Sequence, residues 1–124
     1  MADLTDEEVT RFLRTYEASQ CIFSEGDAGN SMYVVQDGEV SICRTRGEGP
    51  VELAALRKGA FFGEMSLVDN SPRSACAFAG PEGASVLAID GAHFVYLVSQ
   101  QPAFALVVLQ AVVNRLRSHI TRQE

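Results

Sequence analysis

Basic residues are scarce in this chain. Its 124 residues carry ten Lys and Arg against sixteen Asp and Glu, for a formal net charge of −6. Neutralising nucleic-acid phosphates needs clustered cations, so general nucleic-acid binding is not expected. The acidity reads as solubility. Only His93 and His119 supply imidazoles. They fall on a half-exposed helix and near a helix end, so both read as structural or solvated, and no metal is expected. The three cysteines, Cys21, Cys43 and Cys76, are far apart and odd in number, without CxxC or Cys/His spacing. That excludes a zinc-type cluster. Each sits among apolar neighbours and reads as a small buried side chain, which fits a reducing compartment. Met1-Ala2-Asp3-Leu4-Thr5 has no basic segment leading into an apolar one, so no signal peptide is visible. No apolar run is long enough to span a membrane. Repeats and low-complexity linkers are absent too. The simplest expectation is a cytoplasmic protein with one domain over 1–124.

Apolar residues are plentiful, at 47%, which is too many for a disordered chain and enough for a single core. Thr5-Asp6-Glu7-Glu8 resembles a capping box, followed at helical spacing by Val9, Phe12, Leu13 and Tyr16. This predicts an N-terminal helix within 1–19. From Gln20 to Ile89 the pattern changes to short strands broken by turns. Cys21-Ile22-Phe23 ends at Glu25-Gly26-Asp27-Ala28-Gly29-Asn30. Ser31 to Gln36 is closed by Asp37-Gly38, a hairpin signal. Glu39 to Thr45 alternates, with Val40 and Ile42 on one face and Ser41 and Cys43 on the other. After a turn at Gly47-Glu48-Gly49-Pro50 comes a strand from Val51 to Arg57. Ala75 to Ala79 and Ala84 to Ile89 are separated by Gly80-Pro81-Glu82-Gly83. Many short strands with regular turns predict a sandwich or barrel. The segment 90–124 is helical. Asp90 caps Gly91 to Ser99, whose buried stripe is Phe94, Leu97 and Val98. Pro102 starts a second helix, Ala103 to about Arg122, with Phe104, Val108, Val112, Leu116 and Ile120 recurring every fourth residue. Arg115, Arg117, His119 and Arg122 suit its negative end. The fold class is α+β: an antiparallel β-roll flanked by helices.

Most of the polar chemistry lies in 62–75. Phe61 and Phe62 form a strand edge that ends at Gly63, and Glu64-Met65-Ser66-Leu67-Val68 can form one helical turn. The first amides of such a turn have no intrahelical partner and can meet an anion, while Gly63 permits close backbone approach. Pro72 presets the loop before Arg73, a planar and permanently charged fork for phosphate oxygens. Ser74 adds a hydroxyl and an amide. Glu64 would repel an anion unless it met a donor, and a sugar hydroxyl is such a donor. Structural roles compete with these. Glu64 can stabilise a helix start, and Arg73 can pair with a carboxylate such as Asp69. Ser66 and Ser74 have no histidine near them in sequence to act as base, so catalysis by them is not expected.

Phe62-Gly63-Glu64-Met65-Ser66-Leu67, followed by Pro72-Arg73-Ser74-Ala75, resembles the phosphate-binding cassette of cyclic nucleotide-binding domains. That family includes the catabolite activator protein, regulatory subunits of cAMP-dependent protein kinase and cyclic-nucleotide-gated channels. Ile22-Phe23-Ser24-Glu25-Gly26-Asp27 and the run from Ser31 to Val40 resemble its first strands, and the closing helices fit as well. The resemblance implies a double-stranded, jelly-roll-like β-helix with a cassette helix and two C-terminal helices. It implies that Glu64 accepts from a ribose 2′-hydroxyl and Arg73 pairs with the cyclic phosphate. Backbone amides around Gly63, Met65, Ser66, Ser74 and Ala75 would complete the cradle. Ser74 leans toward cAMP and leaves cGMP open. The base would rest against the roll interior and the last helix, which closes as a lid in the family. No cofactor beyond the nucleotide and no catalysis are implied. Too few residues follow the second helix for a DNA-reading helix-turn-helix. The output is therefore expected in an unknown effector protein, in a homodimer through the C-terminal helix, or in sequence outside this chain. Two rival readings are a degenerate roll serving as an interaction domain and a cupin-like enzyme, which the shortage of histidine disfavours.

Overall fold

A computed structural model describes the backbone of residues 6–123 and their side chains except at 6, 8, 9, 46, 115, 116 and 118–123. The capping residue Thr5 and the side chains of Val9, Arg115, Leu116, His119, Ile120 and Arg122 lie outside the described residues. The chain divides into two compact units, one reaching Gly91 and one starting at Ala92.

The first unit contains α1 (Asp6–Phe12), β1 (Leu13–Tyr16), β2 (Cys21–Phe23), β3 (Ser31–Arg46), β4 (Gly49–Arg57), β5 (Phe61–Phe62), α2 (Glu64–Asp69) and β6 (Cys76–Asp90). One six-stranded sheet runs in the order β1-β6-β3-β4, with β2 also paired to β6 and β5 to β3. Every pairing is antiparallel. The helix expected to run through Tyr16 stops at Phe12. Leu13–Tyr16 instead forms a ladder with Ala84–Leu87. A short helix gains little from one more turn, whereas β6 offers a complete partner.

The expected hairpin at Asp37-Gly38 does not form. β3 continues through it, paired to β6 from Ser31↔Asp90 to Cys43↔Cys76. Likewise Gly80-Pro81-Glu82-Gly83 does not separate two strands but is an excursion within β6, where the partner steps from Ala84 at Gly38 to Ala79 at Val40. The glycines have the positive φ that a turn demands, 77° at Gly38 and 84° at Gly83, but here they bend two long strands together. A Cβ on Gly38 would strike the Gly83 carbonyl oxygen. This shared bend turns the sheet into a roll. The third turn is also tighter than expected, because Gly49 and Pro50 already belong to β4 and pair with Arg46 and Thr45.

Inside the roll lie Val35, Val40, Phe62, Ala77, Ala79, Ala84 and Val86, with Tyr16, Ile22, Phe23, Tyr33, Ile42 and Leu56 packed against them. The expected faces of β3 hold: Val40 is buried and Ile42 joins the core, while Ser41 and Cys43 face outward. Alanines along β6 leave room for three rings. Phe23 and Tyr33 have centroids 5.8 Å apart, Phe23 and Phe62 5.9 Å, and Tyr33 stacks on Phe62 at 5.1 Å. The cysteines are less buried than expected, Cys21 being exposed and Cys43 and Cys76 half-buried. Their apolar neighbours in sequence alternate to the inner face, leaving the thiols outside.

The second unit contains most of α3 (Gly91–Gln100) and all of α4 (Ala103–Gln123). Leu97, Phe104 and Val108 are buried, and the Phe94 and Phe104 rings meet at 5.5 Å. The stripe expected to continue through Val112 weakens there, since Val112 is 38% exposed.

Candidate functional site

The 62–75 segment folds back on itself around α2. Gly63, with φ of 78° and ψ of 9°, turns the chain from β5 into the helix. The left-handed backbone there favours glycine, and a Cβ, 2.7 Å from Arg73 Nη1 and 3.2 Å from the Ser31 carbonyl oxygen, would also have to displace the guanidinium. Glu64 opens α2 and is half-buried, Met65 is exposed, and Ser66 is buried. The helix ends at Asn70, whose N–H donates to the Ser66 carbonyl at 2.9 Å. Two further bonds close the loop: Ser66 Oγ donates to the Ser71 carbonyl at 2.7 Å, and the Ser71 amide donates to Asp69 Oδ1 at 2.9 Å. The Ser66 hydroxyl is therefore engaged within the loop.

Hydrogen bonds from Ser71, its side chain first and its backbone amide second, hold the Asp69 carboxyl below its ordinary value. A depressed folded-state value means this stabilisation is present above the unfolded pKa of about 4 and is lost as pH falls through the folded value. The Asp69→Asn variant should accordingly lose less stability between neutral pH and about pH 3 than the parent, a small difference because the carboxyl is fully exposed. Urea unfolding midpoints at the two pH values check this.

Arg73 is anchored at both ends. Its amide donates to the Asp27 carbonyl and its carbonyl accepts from Gly26 N–H, both at 2.8 Å. That turn is itself fixed by Ser24 N–H donating to Asp27 Oδ2 at 2.9 Å. The Arg73 side chain is only 5% exposed. Nη1 donates to the Gly63 carbonyl at 3.0 Å, and the guanidinium carbon lies 4.4 Å from the Phe23 ring centroid and 5.5 Å from that of Tyr33. A Cβ on Gly29 would strike Arg73 Nε, so the loop before β3 presses on the guanidinium edge. The alternative pairing with Asp69 does not form. Arg57 and Glu39 form an ion pair at 3.4 Å, and among the described residues no ion pair of Arg73 is found. Among the described residues no fully buried side-chain polar atom lacks a partner. Ser74 is exposed and its carbonyl accepts from Arg44 Nε at 3.2 Å, whereas Ala75 is buried.

The fold thus joins Gly63 and Arg73 directly, with Glu64 and Ser66 on the helix between them, while Met65 and the Ser74 side chain face out. Sequence reasoning missed the arms that hold Arg73: Phe23, Tyr33, Gly29 and the Gly26–Asp27 backbone. The available signal is the turn cluster at 25–30, whose first residues also resemble the family's first strands, but neither reading links it to Arg73. An open hollow of about 350 Å³ lies at the strand bend, lined by Gly38, Glu39, Arg57, Pro81, Glu82 and Gly83. It contains no residue of 62–75, and Arg57 is already paired there. Among the described residues no cluster of three His, Cys, Asp or Glu could hold a metal, and no helix is long and apolar enough to cross a membrane.

Comparison with known proteins agrees with this fold. The family model of the cyclic nucleotide-binding domain matches residues 13–101. The cyclic AMP receptor protein of Thermus thermophilus is 37% identical over 105 residues, covering 84% of this chain and 48% of that protein. The crystal structure of Thermus thermophilus catabolite activator protein aligns with a TM-score of 0.81 at 34% identity, covering 97% of this chain and 59% of that one. The EAL enzyme Bd1971 aligns in its cAMP-bound form with a TM-score of 0.64 at 32% identity, over 88% of this chain and 29% of the enzyme. Its cGMP-bound form gives 0.65 at 31%, over 89% and 29%. The chain spans about half the length of the receptor protein it matches. With a β-roll, a glycine-turned cassette helix and a matching family model over most of its length, the chain belongs to the cyclic nucleotide-binding domain family.

Proposed function

We propose that this chain is a cytoplasmic regulatory module that binds a cyclic nucleotide at 62–75, cAMP in preference to cGMP, and performs no catalysis itself. The observation that carries this reading is Arg73, a buried guanidinium clamped by Phe23 and the Gly63 carbonyl without a carboxylate partner among the described residues. Burying a cation is costly unless an anion joins it, and a cyclic phosphate supplies that anion. The amides of Met65, Ser66, Ser74 and Ala75, with Gly63 giving close approach, complete the cradle. Glu64 accepts from the ribose 2′-hydroxyl. The readout passes through α3 and α4 to an effector protein or a second copy. Leu106, Leu109 and Val113 support it, lying exposed at helical spacing on α4. Ligand binding shifts the population of helical arrangements that such a partner reads.

Titration calorimetry with cAMP and cGMP tests the binding. Heat is expected with both, tighter for cAMP, and folded protein that takes up neither would establish the degenerate roll instead. Glu64→Ala should weaken cAMP by about tenfold or more, the worth of a hydrogen bond to a charged group. An unchanged affinity would remove Glu64 from the site.

A further inference from the structure

Cys43 and Cys76 stand directly opposite each other as the last rung of the β3–β6 ladder. Both thiols are free and half-buried on the outer face of the roll. We propose that they form a reversible redox pair whose closure loosens the hold on Arg73. Opposed residues of an antiparallel pair share a face, with Cα atoms about 4.5–5.5 Å apart, inside the roughly 4.4–6.8 Å that a disulfide spans. Their Cβ atoms, about 4.5–5.5 Å apart, need to close by only about 1 Å. The end of a ladder allows this. Past Cys43, β3 pairs only with β4, and that register already shifts between Ile42 and Cys43. Cys21 lies on the same face but opposite Phe78, with its sulfur 3.6 Å from Ser24 Oγ, so it is the register partner of neither.

The connection to the cassette is short. Cys76 follows Ala75, and its sulfur accepts the Glu25 N–H at 3.3 Å. The next residues of that turn, Gly26 and Asp27, hold the Arg73 backbone. Cys43 Sγ meets Ser41 Oγ at 3.2 Å. Bridging turns the Cys76 sulfur toward Cys43 and takes the acceptor from Glu25, which slackens the turn that fixes Arg73. A peroxide is the oxidant. The O–O bond and both S–H bonds break, one S–S bond forms, and hydrogen peroxide leaves as two waters carrying both thiol protons. A small-molecule thiol reverses the step by exchange, both residues being only half-buried.

The consequence for affinity rests on the nucleotide reading above, whereas the bridge and the slackened turn do not. The purified chain is treated with stoichiometric hydrogen peroxide, and with reductant as control. Intact mass should fall by two hydrogens, and non-reducing peptide mapping should link Cys43 to Cys76. Amide exchange should quicken at Glu25–Asp27 and Arg73, and cAMP should bind about tenfold more weakly, the worth of about one hydrogen bond. Reductant should restore all four. Cys43→Ser should abolish the mass loss and Cys21→Ser should preserve it. A link through Cys21, no link, or a link that leaves exchange unchanged overturns the proposal. Reduced protein that binds no nucleotide overturns the nucleotide reading instead, while linkage and exchange still decide the redox pair.

Discussion

Arg73→Ala is expected to weaken cAMP binding about a hundredfold or more, since removing one member of a buried charge pair costs about 2–5 kcal/mol. Stability without ligand should respond far less. Truncation removes the bond to the Gly63 carbonyl and the contact with Phe23, each worth about 1 kcal/mol, but it also relieves a buried charge that has no anion beside it. Opposing terms of similar size leave a net change of about 1 kcal/mol. Thermal unfolding therefore separates the two proteins: cAMP at about ten times the parent's Kd should raise the midpoint of the parent clearly and that of the variant hardly at all. Arg73→Lys should fall between them, because an ammonium keeps the charge but neither stacks flat on Phe23 nor forks onto two phosphate oxygens. Undiminished affinity in Arg73→Ala would place the nucleotide elsewhere.

Gly38→Ala should cost about 3 kcal/mol or more. The left-handed backbone at φ of 77° contributes about 1–2 kcal/mol for any residue with a Cβ. The rest comes from collision with the Gly83 carbonyl oxygen, a backbone atom that cannot rotate away. Gly47→Ala provides the control. Its φ of 58° carries the same conformational cost, yet nothing lies within 4 Å of a Cβ there. Urea unfolding of both variants isolates the collision, and equal losses would show that the bend tolerates a methyl group. Whatever Gly38→Ala remains folded should keep its nucleotide affinity, because Gly38 pairs with Ala84 rather than with any residue of 62–75.

Local features were legible in the sequence, and non-local ones were not. Gly63, the α2 turn and the outward alternation of Ser41 and Cys43 depend on neighbours within a few residues, and the structure has them as read. Asp37-Gly38 misled because a glycine at positive φ serves a kink as well as a hairpin. The deciding factor was β6, a partner some forty residues downstream. Tyr16 failed for the same reason, since a strand distant in sequence competed with a helical turn. The thiols looked unrelated because only register sets Cys43 opposite Cys76. At the candidate site, Arg73 was identifiable as a cation in a loop. That Phe23, Tyr33 and Gly29 would enclose it depended on how the loop before β3 folds back.

The ladder between β1 and β6 joins Leu13 to Leu87, and the same β6 also completes β2 and β3. During synthesis, then, three of the earlier strands wait for the last one. Until β6 leaves the ribosome no closed roll exists to clamp a guanidinium, however early Arg73 emerges. Pairing across such separations is slow, on the order of milliseconds to seconds. The domain should therefore mature in one step late in translation, and a nascent chain cut before Cys76 should yield an aggregation-prone fragment rather than a partly closed roll.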